Sequence, residues 1–455
     1  MDLRRMLAPE SVAVVGVSKS NDRHPANVIF RKLLHRYSLA VHGVNPTGGT
    51  LEGVSLASSV GAISAPVDLV VIAVRADAVP AVVEAAANAG AGGALVLSGG
   101  FAEVGRHDLQ SQLITAAAST GLPVVGPNCL GLFVPGLVDT LFLPPERLVP
   151  LPKGSVALVS QSGGFLVDEM IRFAAQGVGV SLALSVGNKD VVDEVDLIAH
   201  LAEDLNTRVI AFYIEGFRPG EGRRFVEAAR ACPKPVVVLK AGRTEAGSRA
   251  VSSHTAALAG DHAVFSAALA QHGVFEARDA FHMASICESL VAFGPRSTVK
   301  RVGILTGSGG HGALAVDACA ARQLTVDRLS EETQREIIGA LSPRIQGIAS
   351  VGNPVDLTGS ASDDDFVAAA EKLAAADEVD GIIVLLLPYL PGITLELGAR
   401  LARVVNGTGK PLVAYVPHDS RYQILIEGFE GNGVPVADEI GGAVDMIAAL
   451  RQGMT

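Results

Sequence analysis

The stretch VALVSQSGG, residues 156–164, joins an apolar, β-branched run to a Ser/Gly-rich turn that leads into a helical pattern. The stretch VGILTGSGG, residues 302–310, repeats this arrangement. Strand, turn and helix in this order build parallel sheets covered by helices. Because each copy opens a segment of further alternating strand and helix patterns, we predict two doubly wound, flavodoxin-like domains.

The first part of the chain alternates in the same way, so we expect a third parallel sheet there. Its apolar runs each end in small or polar residues: SVAVVGVS from Ser11, LAVHGVNP from Leu39, DLVVIAV from Asp68, GALVLSG from Gly93 and PVVGPN from Pro123. Four prolines then interrupt the pattern within residues 141–154. The fold class is therefore α/β, with domains expected at residues 1–145, 152–293 and 299–455.

Composition excludes several classes of protein. A net charge of −11 argues against a nucleic-acid surface, which needs a dense Lys/Arg face. No apolar run is long enough to span a bilayer, and the first residues lack the apolar core of a signal peptide. The cysteines form no CxxC pair, which indicates neither a disulfide framework nor a zinc site: Cys129, Cys232, Cys287 and Cys319. We expect a cytoplasmic protein without membrane or nucleic-acid partners.

The segment Lys240 to Asp261 is rich in small, polar and basic residues, and we predict a mobile loop. His254 lies near its centre, without bulky apolar neighbours that would bury the ring. An imidazole of this kind can act as a nucleophile, a base or a phosphate carrier. A solvated histidine with no function is the simplest interpretation, so the remaining motifs decide its meaning.

Two turns predict binding of phosphate. A helix N-terminus presents unpaired backbone N–H groups and a partial positive charge, so a Ser/Gly turn before a helix can hold an anion without lysine. The residues concerned are Ser160, Gln161, Ser162 and Gly163 in one copy and Ser308, Gly309 and Gly310 in the other. Glu215 ends a strand in the same segment and is a candidate to orient an imidazole ring.

Two further motifs leave alternatives open. No G-x-G-x-x-G follows the first strand, and no acidic residue ends the second, so a dinucleotide cofactor is poorly supported. Apolar side chains after the turn at residues 160–164 suggest either an acyl pocket or helix packing, of which packing is the simpler: Phe165, Leu166 and Val167.

Taken together, these motifs resemble the NDP-forming acyl-CoA synthetases, relatives of succinyl-CoA synthetase, and in particular the α part of ADP-forming acetyl-CoA synthetase. The matching pieces follow the family's order along nearly the whole chain: SVAVVGVS, VNP at Val44, SGGFAEVG at Ser98, GPNCLG at Gly126, VSQSGG, GNK at Gly187, YIEG, KAGRTEAG, SHTAALAG and ASVGNPVDLTG at Ala349.

The resemblance implies a Rossmann-like CoA-binding domain followed by two flavodoxin-like ligase domains. It implies that His254 becomes phosphorylated, that the two Ser/Gly turns hold the phosphoryl group, and that Glu215 orients the ring. CoA contacts carry over onto Gly16, Ser18, Lys19, Asn45, Pro46, Ser98, Gly99, Gly100 and Asn128. His311, in GGHG, is a rival phosphate acceptor outside the family's motif.

The implied reaction is acid + CoA + ATP ⇌ acyl-CoA + ADP + phosphate, through an acyl phosphate and phosphohistidine. Nothing in the sequence resembles an ATP-grasp module, so ATP, ADP and Mg are expected on a partner β subunit, in a heterotetramer, with no metal site on this chain. The alternative is a non-catalytic CoA- or acyl-CoA-binding regulator of the same architecture. An NAD-dependent oxidoreductase is a third and weaker hypothesis.

Overall fold

The structure, a computed structural model, describes residues 1–254, 261–295 and 298–451, with only the backbone given for residues 252–254. The chain forms two compact units, Met1–Ala280 and Phe281–Thr455. The first unit contains the predicted domain 1–145 and residues 152–280 of the second predicted domain, and the second unit contains the predicted domain 299–455. Each unit is built on parallel sheets, which confirms the predicted α/β class.

The first sheet of unit one has five parallel strands in the order β2-β1-β5-β6-β7. Its strands are β1 (Ser11–Val15), β2 (Ala40–Val44), β5 (Leu69–Ile72), β6 (Gly93–Val96) and β7 (Val124–Val125). Between β2 and β5 the chain forms a separate antiparallel hairpin of β3 (Thr50–Leu51) and β4 (Val54–Ser55). Its helices are α1 (Arg4–Leu7), α2 (Pro25–Arg36), α3 (Val79–Asn88) and α4 (His107–Thr120).

The second sheet of unit one has the order β14-β13-β12-β10-β11-β8-β9. Its strands are β8 (Leu132–Val134), β9 (Val138–Asp139), β10 (Lys153–Ser160), β11 (Val180–Ser185), β12 (Val209–Ile214), β13 (Val236–Lys240) and β14 (Phe275–Ala277). Its helices are α5 (Gly163–Ala175), α6 (Glu194–Glu203), α7 (Glu221–Ala231), α8 (Glu245–His254) and α9 (His262–Gln271).

Unit two has one parallel sheet, in the order β16-β15-β17-β18-β19. After α10 (Ala280–Phe293), its strands are β15 (Val302–Thr306), β16 (Val355–Asp356), β17 (Gly381–Leu385), β18 (Leu412–Tyr415) and β19 (Val436–Ala437). Its helices are α11 (Gly309–Ala321), α12 (Glu331–Ala340), α13 (Asp363–Ala375), α14 (Leu397–Asn406), α15 (Gln423–Glu430) and α16 (Ile440–Ala449).

All three sheets place the first strand between the second and the third, which is the flavodoxin order. Strands β1, β11 and β15 are buried along their whole length and consist mostly of aliphatic residues, as expected for parallel strands covered on both faces. Side chains cap the N-termini of several helices, as Ser162 does for α5 and as Asp193, which forms a capping box, does for α6.

The predicted loop over residues 240–261 is wrong between Glu245 and His254, where the structure has α8. Two local contacts favour the helix: Thr244 Oγ1 accepts a hydrogen bond from the Gly247 N–H at 3.1 Å, and Arg249 pairs with Glu245 one turn away at 2.8 Å. The small polar residues that suggested a loop are compatible with a helix that has these end contacts. Residues 255–260 lie outside the described part of the chain.

A buried ion pair joins the helix layer of the first sheet to the edge of the second. The Lys32 Nζ on α2 lies 2.8 Å from an Asp139 carboxylate oxygen on β9, and the two side chains are 1% and 4% exposed. Burial lowers the pKa of Lys32 and raises that of Asp139, because it disfavours both charges. Lys32 also donates to the backbone oxygens of Leu141 at 2.5 Å and Leu143 at 3.2 Å.

We expect Lys32→Met to destabilise the protein by about 3–5 kcal/mol, because it leaves the Asp139 carboxylate buried without its cationic partner. Adding Asp139→Leu should recover most of that loss, since the pair is then replaced by apolar groups. Urea denaturation measures both changes. Arg4→Met removes a side chain of an exposed pair and should change the free energy of unfolding by less than about 0.5 kcal/mol. Equal losses in the single and double variants would contradict this account.

Candidate functional site

Both sheets of unit one have a switch point, where helices leave neighbouring strands on opposite faces and a crevice opens at the carboxyl ends. In the first sheet it lies between β1 and β5, and in the second between β10 and β12. Gly16 follows β1 with φ +102°, and a Cβ there would lie 2.2 Å from the Ala73 carbonyl oxygen. Only glycine fits this close approach of the two strand ends.

The polar residues predicted to contact CoA brace the turns at the edge of the first sheet. The Ser18 N–H donates to Asn27 Oδ1 at 2.7 Å, and Asn45 Nδ2 donates to the Val17 oxygen at 2.7 Å. Ser98 Oγ donates to the Val74 oxygen at 2.5 Å. The predicted residues lie after β2, β1, β6 and β7, and therefore form a row along the sheet: Gly16, Ser18, Lys19, Asn45, Pro46, Ser98, Gly99, Gly100 and Asn128.

This row ends where a turn of the first sheet meets a turn of the second. The Asn188 N–H donates to the Pro127 oxygen at 2.9 Å, and the Asp190 N–H donates to the Gly126 oxygen at 3.1 Å. Gly187 has φ +54°, and a Cβ there would lie 2.2 Å from the Pro127 oxygen. The two turns, residues 126–128 and 187–190, are therefore in direct backbone contact.

Glu103 joins two turns at this junction, that of residues 98–101 and that of residues 187–190. Its Oε1 accepts the Gly100 N–H at 2.5 Å and the Phe101 N–H at 3.1 Å, and its Oε2 accepts Asn188 Nδ2 at 2.7 Å. Asn128 Nδ2 reaches Asn188 Oδ1 at 3.4 Å. Burial raises the pKa of Glu103, but the hydrogen bonds outweigh burial and hold that pKa below its usual range. Glu103 is thus a fixed carboxylate that aligns the end of the row.

The turn after β10 has the form expected of a phosphate-binding turn. Ser160 Oγ donates to the Ser162 oxygen at 2.7 Å and accepts the Ser162 N–H at 3.1 Å, which closes the turn. Ser162 Oγ accepts the Phe165 N–H at 3.3 Å as the N-cap of α5. A Cβ on Gly164 would meet no atom within 4 Å, so this end of the helix faces open space. The first N–H groups of α5 have no acceptor within the helix and are available to an anion.

Gln161 joins this turn to Glu215 across the switch point of the second sheet. Its Oε1 accepts the backbone N–H groups of Glu215 and, at 3.1 Å, Gly216, while its Nε2 donates to the Gly216 oxygen at 3.2 Å. Glu215 is buried, and its backbone oxygen accepts Lys240 Nζ at 2.8 Å. The structure thus brings the predicted turn and the predicted carboxylate together. The His254 side chain lies outside the described residues.

The turn of unit two repeats the hydrogen bonds of the first. Thr306 Oγ1 donates to the Ser308 oxygen at 3.2 Å and accepts the Ser308 N–H at 3.1 Å, as Ser160 does with Ser162. Here the Ser308 hydroxyl bonds His311 Nδ1 at 3.1 Å. The internal repeat seen in the sequence is therefore also a repeat of turn geometry, with His311 placed in the first turn of α11.

Phe165 and Leu166 favour the helix-packing interpretation. The Phe165 ring stacks on Tyr213, with ring centroids 3.9 Å apart, and Leu166 is fully buried. Burial raises the pKa of Tyr213 to about 12, so its hydroxyl remains protonated.

Comparison with known proteins agrees with the geometry. Residues 10–135 match the family model described as a CoA binding domain, and residues 153–290 match that of a succinyl-CoA ligase like flavodoxin domain. The α subunit of acetate–CoA ligase [ADP-forming] I from Pyrococcus furiosus is 33% identical over 465 residues, covering 99% of this chain and 97% of that protein. The chain belongs to the NDP-forming acyl-CoA synthetase family.

Other members differ in length. Acetate–CoA ligase [ADP-forming] I from Archaeoglobus fulgidus is 35% identical over 390 residues, which are 85% of this chain and 55% of that protein. The chain therefore spans about half the length of this relative. A dinucleotide-forming acetyl-coenzyme A synthetase 1 from Ca. Korarchaeum cryptofilum, solved with phosphate and ADP, superimposes with a TM-score of 0.88 at 31% identity, covering 99% of this chain and 96% of that one.

In the present protein, a cavity of about 210 Å³ lies beside the junction of turns and is lined mostly by polar and charged residues. Asp190, which is 6% exposed, accepts Gln110 Nε2 on its Oδ1 at 2.5 Å. Burial raises the pKa of Asp190 to about 6. The cavity is lined by Ala102, Glu103, His107, Gln110, Gln161, Gly187, Asn188, Lys189, Asp190 and Arg218.

Sequence reasoning missed Glu103, Asn188 and Asp190 as site residues. The sequence signal for two of them is that Glu103 and Asn188 lie inside motifs that resemble those of the family, SGGFAEVG and GNK. Their contact joins residues 85 positions apart, and no local pattern shows such a contact.

A further outcome concerns membranes. Among the residues that the structure describes, no helix has both the length and the apolar character required to cross a bilayer.

We expect the stability of the protein to depend on pH through Asp190. Because its pKa is raised, the folded chain keeps this proton at a higher pH than the unfolded chain does, and the associated stability is lost as pH rises from about 4 through about 6. Asp190→Asn removes this dependence. Between about pH 5 and pH 8, the stability of the variant relative to the original protein should increase by roughly 1–2 kcal/mol in denaturant titrations.

Asp108→Asn is the matched control, since it removes an exposed carboxylate from α4, the helix that carries Gln110. A difference between Asp190→Asn and the original protein that stays constant with pH would contradict the raised pKa of Asp190.

Proposed function

We propose that the chain is the α-type subunit of an ADP-forming acyl-CoA synthetase that catalyses acid + CoA + ATP ⇌ acyl-CoA + ADP + phosphate. The observation that carries this proposal is the bridge by which Gln161 joins the Ser160–Gly163 turn to Glu215 at a switch point. One end of this crevice is suited to phosphate and the other to a histidine ring.

In the direction that consumes acyl-CoA, the first reaction takes place at the carbonyl carbon of the acyl group. A phosphate oxygen attacks the acyl carbonyl carbon, the C–S bond breaks, and CoA leaves as the thiolate, which takes up a proton. The products of this step are acyl phosphate and CoA. The row of residues from Asn45 to Asn128 supports binding of CoA along the edge of the first sheet.

His254 is the nucleophile of the second step. A ring nitrogen attacks phosphorus, the P–O bond to the acyl group breaks, and the carboxylate leaves. Glu215 is a positioning residue: its carboxylate accepts a hydrogen bond from the N–H of the other ring nitrogen, remains ionised, and stabilises the positive charge that develops on the ring. The turn at Ser160–Gly163 binds the phosphoryl oxygens, and the turn at Ser308–Gly310 is the second candidate for this role.

The phosphoryl group then passes from His254 to ADP. We place ATP, ADP and Mg on an ATP-grasp β subunit, with two copies of each chain in a heterotetramer, acting in the cytoplasm. The name of the Pyrococcus relative as an α subunit supports such a partner. Longer relatives, such as the Archaeoglobus protein, of which the match covers 55%, support the idea that both functions can be joined in one chain.

Incubation of the chain with acyl-CoA and labelled phosphate should leave acid-labile, base-stable label on His254, because a phosphoramidate forms without the partner. His254→Ala should abolish the label. Glu215→Gln should slow its formation by up to roughly 10⁴-fold, the cost of losing an orienting carboxylate in a catalytic triad. A chase with ADP should remove the label only after an ATP-grasp subunit is added.

His311→Ala is the control for this experiment, because it removes the rival imidazole at the turn of unit two. Label that persists in His254→Ala and disappears in His311→Ala would assign the reaction to His311.

The chain alone should bind CoA and give no heat with ATP in calorimetry, because the residues for CoA lie in the first sheet and ATP is assigned to the partner. Gly16→Val should weaken CoA binding at least about 10-fold, since its side chain would clash with the Ala73 oxygen where the strand ends meet. Gly90→Ala, at a turn where a Cβ meets no atom within 4 Å, controls for loss of a positive-φ glycine. Tight ATP binding by the chain alone would refute this division of ligands.

A further inference from the structure

The cavity at the junction of turns lies at the end of the predicted CoA row. The order β2-β1-β5-β6-β7 places Asn45 at one end of the sheet and Asn128 at the other. Asn128 contacts Asn188 at 3.4 Å, and Asn188 lines the cavity. Gln161, from the phosphate turn, lines it as well. The acyl group of an acyl-CoA whose CoA part lies along the row, and which passes the phosphate turn, therefore enters this cavity.

One buried hydrogen-bond acceptor in the lining of this cavity has no partner within the described part of the chain. The Asp190 Oδ2 is buried and has no hydrogen-bond partner among the described residues. Glu103, in contrast, already accepts three hydrogen bonds. A buried acceptor without a donor destabilises the site, so a ligand that supplies the donor binds more tightly.

The cations of the lining are already paired. Lys189 Nζ lies 2.7 Å from Glu194 Oε1 and 3.5 Å from Glu221 Oε2, and Arg218 pairs with Glu221 and donates to the Lys189 oxygen at 2.9 Å. Neither of them contacts Asp190 through a described hydrogen bond. The cavity is therefore poorly suited to a carboxylate or phosphate and well suited to a donor.

We propose that this cavity holds the distal end of the acyl group, and that Asp190 accepts a hydrogen bond from a hydroxyl or ammonium group there. The proposal rests on the proposed function and specifies its substrate class: short carboxylic acids with a terminal hydrogen-bond donor. The volume of about 210 Å³ accommodates only a short chain. Asp190 acts as a specificity residue, since it contacts the tail of the substrate and not the reacting atoms.

The charge of Asp190 suits this role. Its pKa of about 6 leaves the carboxylate mostly ionised near neutral pH, so it accepts hydrogen bonds there. A site built to bond a hydroxyl rejects the analogue that lacks it, because the buried acceptor is then left unpaired. Hydrogen bonds to charged groups contribute about 1.5–3 kcal/mol, which corresponds to roughly 10- to 100-fold in affinity.

The test compares binding of propionyl-CoA, 3-hydroxypropionyl-CoA and β-alanyl-CoA to the full chain by calorimetry. The hydroxyl or the ammonium derivative should bind at least about 10-fold more tightly than propionyl-CoA. Asp190→Asn keeps the Oδ1 that Gln110 contacts and replaces Oδ2 by a donor of the same size. In this variant the preference should fall to about one.

Asp108→Asn is the control, because it removes an equal charge from the exposed surface of α4. It should keep the preference of the original protein. The comparison of 3-hydroxypropionyl-CoA with β-alanyl-CoA distinguishes a simple hydrogen bond from an ion pair with Asp190.

Two outcomes overturn the proposal: equal binding of all three thioesters to the original chain, or a preference that survives in Asp190→Asn. The first needs no variant, so poor folding of Asp190→Asn leaves the proposal falsifiable. Labelling of His254 is scored separately with the same thioesters. A preference in binding without any label supports the cavity and refutes the proposed reaction, so the two failures are distinguishable.

Discussion

The backbone contact between residues 126–128 and residues 187–190 is the constraint on which the rest of unit one depends. At 2.2 Å from a Cβ on Gly187 to the Pro127 oxygen, the contact admits no side chain. It brings the carboxyl ends of two separate sheets together, so that Glu103 of the first sheet can bond Asn188 of the second. The polar cavity exists because these two edges meet.

Topology explains why the chemistry lies where it does. Each sheet has the flavodoxin order, and each has a Ser, Thr or Gly turn at the point where the crossover direction changes. Ser160 and Thr306 close equivalent turns through the same pair of hydrogen bonds. The two turns differ at the next position, where Gln161 reaches across to Glu215 and its counterpart Gly307 cannot. The repeat thus has the same turn geometry twice, and of these two turns the one after β10 has a side chain, Gln161, that joins it to the backbone of a buried glutamate.

The sequence predicted the central strands and the class of the fold, because long buried aliphatic runs have a strong local signal. It also predicted the turns at Ser160 and Ser308, because Ser/Gly-rich residues directly follow two of these strands. It did not predict the antiparallel strands β8 and β9, which are short and lie next to proline-rich coil, nor α8, whose small polar residues gave a loop pattern. The unpaired oxygen of Asp190 follows only from the packing of α4 against the turn after β11, which no spacing in the sequence shows.

The hairpin of β8 and β9 has a consequence for dissecting this protein. It covers β11, which would otherwise be the outer strand of a parallel sheet with its N–H and C=O groups open to other chains. A fragment cut at the predicted boundary, residue 152, would lose this cover and expose β11 as a template for aggregation. A soluble piece of the second sheet has to begin before Leu132, although that residue belongs by sequence pattern to the domain before it.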